Sequence, residues 1–78
     1  MRVTVRLYGQ FARYRHEDAA GPVALETPIR STVGDILRQL GIPPDTPRVM
    51  SVNGVVAAPD DPLRPGDELL VAPVAAGG

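Results

Sequence analysis

The 78-residue chain contains neither cysteine nor lysine, and each absence removes a class of chemistry. Without cysteine there is no disulfide, no thiolate metal site, no iron–sulfur cluster and no side chain that could hold a persulfide. Without lysine there is no Schiff-base chemistry and no internal ε-amino acceptor for an isopeptide bond, which leaves the N-terminal amine as the only such acceptor. The basic residues are all arginines, dispersed among the acids, and a net charge of −1 creates no field that would select nucleic acid or an anionic membrane. No segment approaches the roughly 20 apolar residues needed to span a bilayer. Met1-Arg2-Val3 opens directly into a strand pattern instead of a signal peptide, so a cytoplasmic location is expected. There is no Ser-His-Asp set, phosphate loop or zinc-ligand spacing to support autonomous catalysis. The lone histidine, His16, reads as a capping or solvated residue.

What is present is enough for one small domain, which at this length buries only about 60% of the surface its unfolded chain exposes. Val3, Val5 and Leu7 alternate with Arg2, Thr4 and Arg6, which predicts a half-buried strand over Arg2 to Tyr8. Gly9 ends it, Gln10 to His16 suits a short helix or turn, and Val23 to Thr27 reads as a second strand paired with the first. Val33, Ile36, Leu37 and Leu40 fall on one helical face, with Thr32 and Asp35 as a capping box and Gly41 as a left-handed stop. A helix from Val33 to Leu40 follows. Arg48 to Val52 and Val55 to Ala57 form a hairpin around Asn53-Gly54, the pair suited to a type I′ turn. Pro65-Gly66 suits a type II turn, and Leu69 to Val74 is the last strand. The adjacent acids Asp60-Asp61 and Asp67-Glu68 read as solvated turn residues rather than metal ligands. The order β-β-α-β-β-β predicts an α+β roll, a mixed sheet of four to five strands with one main helix, in the β-grasp (ubiquitin-like) arrangement.

After Glu68 the sequence carries no charged side chain and closes on Gly77-Gly78. Residues 1–74 are expected to form the domain and Ala75, Ala76, Gly77 and Gly78 a flexible tail. Glycines without Cβ atoms pass through narrow channels and adopt backbone angles closed to other residues. From Ala75 to Gly78 the extended reach is about 13 Å at roughly 3.3 Å per residue, enough for the last carbonyl to enter another protein's active site. The alternative is an ordinary frayed terminus.

Val3-Thr-Val-Arg-Leu-Tyr-Gly9, Val33-Gly-Asp-Ile-Leu37, Val52-Asn-Gly54 and Pro62-Leu-Arg-Pro-Gly-Asp-Glu-Leu69 together resemble the MoaD/ThiS family of ubiquitin-like sulfur carriers over nearly the whole chain. The tail is more similar to the molybdopterin-synthase small subunit, which typically has a proline pair upstream of its glycines, than to the thiazole-forming carrier. Here Pro73 is kept and the second position is Val74. The resemblance implies no bound cofactor. It implies ATP-dependent adenylation of the Gly78 carboxylate by an E1-like (MoeB/ThiF-like) enzyme, conversion to a thiocarboxylate by a sulfur donor protein, and sulfur delivery within a large catalytic (MoaE-like) subunit. Not catalytic alone, the chain would then be a co-substrate in molybdopterin (molybdenum/tungsten cofactor) biosynthesis. Thiamin synthesis, tRNA thiolation and cysteine synthesis remain open as destinations, as do conjugation to protein lysines through Gly78 and a β-grasp binding domain that uses no terminal chemistry. The resemblance also places partner-binding positions at Tyr8, Val56, Ala72 and Pro73. The competing reading makes these ordinary core or scattered surface residues.

Overall fold

Alternation in the first strand separates a face that must be covered from one that need not be, and the computed structural model, which describes residues 1–14, 21–46 and 48–74, shows what covers it. β1 (Arg2–Leu7) buries Val3, Val5 and Leu7 against α1 (Val33–Leu40) and turns Arg2, Thr4 and Arg6 away. β2 (Val23–Glu26) pairs antiparallel with β1. β3 (Val49–Val52) and β4 (Val55–Val56) form the hairpin, and β5 (Glu68–Ala72) enters between β1 and β3. The sheet order is β2-β1-β5-β3-β4, with β1 and β5 parallel and every other pair antiparallel. This is the expected mixed sheet with its helix. The strand ends differ by one or two residues from the sequence reading, most consequentially at β5, which stops at Ala72 instead of Val74.

The helix begins with all its early amides bonded. Asp35 N–H donates to Thr32 Oγ1 at 3.1 Å and Thr32 N–H donates back to Asp35 Oδ2 at 2.9 Å. Val33 and Gly34 N–H donate to the carbonyls of Asp61 and Pro59 at 3.0 and 2.8 Å, so the long loop before β5 satisfies donors that a helix start leaves open. Leu63 N–H to Ser31 O at 2.8 Å fastens the same loop and buries the Leu63 side chain. At the other end Gly41 has φ 84°, and the Gly41 and Ile42 amides return to Arg38 and Leu37 carbonyls, a Schellman closure that buries Ile42. Val33, Ile36, Leu37 and Leu40 are all buried, each contributing about 1.5–3 kcal/mol before the entropy of ordering is subtracted.

Phe11 completes the core from outside any periodic segment. It sits in the 3-10 helix Gly9–Tyr14, is 1% exposed, and closes the end of the sheet where β1 and β5 finish, with the Tyr14 ring 6.5 Å away. Positive φ at Asn53 (51°) and Gly54 (86°) gives the type I′ hairpin, and Gly66 at φ 86° with Asp67 N–H bonded to Arg64 O gives the type II turn. Two of the adjacent acids are turn clamps, Asp61 Oδ2 accepting from Ala58 N–H and Asp67 from Asn53 Nδ2 and Arg64 N–H, whereas Glu68 lies in β5 instead of a turn. His16 lies outside the described residues.

Hydrogen bonding from the Thr32 backbone, then from its hydroxyl and the Arg38 guanidinium, holds the Asp35 carboxyl below the ordinary carboxylate range. A depressed folded value means that the ionised form supports the fold above the usual value near 3.9 and loses that support as pH falls through the lower folded value. Urea denaturation should therefore find Asp35→Asn less stable than the parent at pH 7, with the gap closing below about pH 4. A gap that widened on acidification would contradict the cap. Thr32→Ala should cost about 1 kcal/mol at pH 7.

Candidate functional site at the root of the terminal segment

Because successive side chains in a strand point to opposite faces, the buried partners Leu7 and Val71 put Tyr8 and Ala72 on the uncovered face of the sheet. Tyr8 N–H donates to Val71 O at 3.0 Å, which sets the two residues side by side where β1 and β5 end. One row of this face is Tyr8, Ala72 and Val49; the next is Arg6, Leu70, Ser51 and Val56, each aligned with its neighbour across a strand pair. Tyr8 is 46% exposed, Val49 43% and Val56 79%. Tyr8, Ala72 and Pro73 thus meet at one corner. Val56 shares their face but lies two strands from β5, about 10 Å away at the usual strand spacing.

Four residues of these two rows were not singled out for the site from the sequence: Val49, Leu70, Ser51 and Arg6. The signal for Leu70 was available, since in Leu69-Leu70-Val71 a strand cannot turn every side chain inward, and Leu69 and Val71 are the buried pair. Arg6 lies beside the apolar corner and donates through Nε to Glu68 Oε1 at 2.9 Å. That bond and the Glu68 charge, with a smaller contribution from the Tyr8 side chain, push the guanidinium above its ordinary value. Like any arginine it stays charged at accessible pH, and its pair with Glu68 is solvent-exposed.

The terminal segment leaves this corner because Pro73 cannot continue the ladder. In a parallel pair the donor after Tyr8 N–H would be the amide of residue 73, directed at Tyr8 O. Proline has no N–H, and Tyr8 O instead accepts from Phe11 N–H at 3.1 Å. Pro73 and Val74 are exposed, whereas Ala75, Ala76, Gly77 and Gly78 lie outside the described residues. Two shallow hollows flank the face, one of about 190 Å³ lined by Arg6, Leu7, Tyr8, Gly21 and Pro22, and one of about 400 Å³ beside β4. No group of three His, Cys, Asp or Glu side chains able to hold a metal occurs among the described residues, and no helix among them is long and apolar enough to cross a membrane.

The sequence pattern of the ThiS family matches residues 5–78, from the middle of β1 through the glycine pair. The chain belongs to the ThiS family. Among solved structures this ThiS-family chain is similar to SAMP1 from Haloferax volcanii, with TM-score 0.74 and 24% identity over 100% of both chains. It is also similar to a protein from Pyrococcus furiosus assigned as molybdopterin converting factor, subunit 1, with TM-score 0.72 and 22% identity over 94% of this chain and 98% of that one. A ubiquitin-like protein from Caldiarchaeum subterraneum aligns with TM-score 0.54 and 17% identity over 99% of this chain and 100% of that one. At these identities the likenesses establish the β-grasp fold. No curated protein matches the sequence.

An exposed corner and a buried core respond differently to the same kind of change. Tyr8→Asp and Val56→Asp should each alter unfolding free energy by about 1 kcal/mol or less, the range of surface substitutions. Phe11→Ala should cost about 3–5 kcal/mol. Chemical denaturation of the three variants checks this, and a collapse of the fold in Tyr8→Asp would show that Tyr8 belongs to the core after all.

Proposed function

We propose that this protein is a sulfur carrier whose reactive group is the α-carboxylate of Gly78. The observation that carries the reading is the family match, which runs through Gly77-Gly78 to residue 78. A carboxylate is a poor electrophile because it is negatively charged and would have to expel oxide. In the proposed sequence its oxygen attacks the α-phosphorus of ATP in an E1-like partner, pyrophosphate departs, and an acyl adenylate forms. Hydrosulfide then adds to the glycyl carbonyl, the bond to AMP breaks, and a thiocarboxylate remains; a persulfide donor reaches the same product after a second thiol cleaves its S–S bond. A chain without cysteine has no side chain able to carry that sulfur, so the main chain does so.

Delivery to a pterin precursor inside a large catalytic subunit, with return of the carboxylate, is the destination we favour, in line with Pro73 upstream of the glycines and the likeness to the Pyrococcus protein. The corner of Tyr8, Ala72 and Pro73, with Val49, Leu70 and Val56 beside it, is the proposed docking face for both partners, since an exposed apolar cluster marks an interaction site. Full-length likeness to SAMP1, named elsewhere a small archaeal modifier protein, supports a second reading in which the same adenylate is captured by a lysine of another protein. The activation step is common to both.

With the E1-like enzyme of the same organism, ATP–pyrophosphate exchange should proceed with the parent chain and fall to background when one residue is appended after Gly78. Gly78→Ala should largely abolish it while leaving the fold intact. Normal exchange by the extended chain would end the proposal. Tyr8→Asp should weaken complex formation with the same enzyme, and unchanged binding would remove Tyr8 from the docking face.

A further inference from the structure

Gly9 stands where β1 turns into the 3-10 helix, with φ +57°. A Cβ at that position would lie 2.8 Å from Pro73 Cγ and 3.0 Å from Pro73 Cδ. Non-bonded carbons rest at about 3.5–4.0 Å, so a side chain at residue 9 and the ring at residue 73 cannot both occupy their places. The other described glycines with positive φ, at 21, 41, 54 and 66, have nothing within 4 Å of the same point. Left-handed backbone and close approach therefore coincide only at Gly9 among the described residues. The ring cannot swing aside about its own φ, which the pyrrolidine fixes near −65°, so relief would require the main chain of residue 73 to move.

Three constraints converge on that main chain: the missing Pro73 amide ends the ladder, Phe11 N–H occupies the Tyr8 carbonyl, and the ring fills the space a Gly9 side chain would take. We infer that Gly9 is a positioning residue, whose missing side chain provides the seat for Pro73, sets the direction in which the chain leaves the sheet at Val74, and so presents the terminal carboxylate to the activating enzyme. The last clause rests on the function proposed above; the exit direction does not. Pro73 is exposed and follows the final strand, so displacing it should redirect the exit without opening the core.

The test must separate contact with Pro73 from backbone strain. Asn accepts left-handed angles, so Gly9→Asn places a Cβ against Pro73 with little conformational penalty, and Pro73→Ala deletes both atoms of the close approach. In this cysteine-free chain, Val74→Cys supplies a unique site for a nitroxide label, whose broadening of the Tyr8, Val49 and Val56 amide signals maps the exit direction. Gly9→Asn should change that broadening pattern in the Pro73 background and cause no further change in the Pro73→Ala background. An unchanged pattern, or an equal change in both backgrounds, would overturn the inference. In ATP–pyrophosphate exchange, Gly9→Asn should lower kcat about tenfold or more, since misplacement of a reacting atom is costly. KM should change less than kcat, because Tyr8, Ala72, Val49 and Val56 keep their places on the docking face and Pro73 alone is displaced. A raised KM at unchanged kcat would make Gly9 part of the docking face instead of a positioning residue. If the parent chain supports no exchange at all, the proposed function fails, and the label still decides whether Gly9 directs the exit.

Discussion

The parallel pairing of β1 with β5 at the middle of the sheet is the contact on which the rest of the molecule depends. It joins the two most distant strands of the chain, buries Val5, Leu69 and Val71 completely, and leaves β2 and β4 as edges. The same register puts Tyr8 beside Ala72 and brings the turn after β1 against the end of β5. The chain's first strand thereby shapes the point from which its last residues depart. A parallel pair also needs a long crossover, and α1 occupies that crossover while covering the face the pair must bury. Fold and exit point are consequences of one pairing.

Where a structural signal is local, it was readable from the chain alone. Thr32, Asp35 and Gly41 set the helix ends through bonds spanning a few residues, and Asn53-Gly54 sets the hairpin through its own backbone angles. Long-range features were not legible in the same way. Phe11, Ile42 and Leu63 are buried but belong to no periodic segment, so nothing nearby marks them as core. The apolar run through Val74 suggested a longer last strand, yet Pro73 ends it because the ladder needs an amide that proline lacks. Of the candidate site, the register sets Tyr8, Ala72 and Pro73 at one corner and Val56 two strands from β5, whereas the place of Val49 beside Ala72 became visible only once strand order and register were known.

The composition fits a protein whose chemistry is carried by its backbone. Side chains that would compete for an activated acyl group or for sulfur are absent: there is no thiol and no ε-amine anywhere in the sequence. In the docking role proposed for the open face, its side chains would be recognised rather than react. Arg6 and Glu68 neutralise one another in solvent, and the apolar residues around them supply area without nucleophiles. Catalytic power would then reside in partners, and this chain would supply a carbonyl, a route out of the sheet, and a surface to hold.

The most direct measurement is the intact mass of the protein after incubation with ATP, hydrosulfide and the E1-like enzyme of its own organism. The account predicts a species heavier by the difference between one sulfur and one oxygen, formed only when ATP is present, with the added mass confined to the C-terminal peptide. An unchanged mass under conditions where the enzyme adenylates the chain, or a sulfur located anywhere other than Gly78, would contradict it.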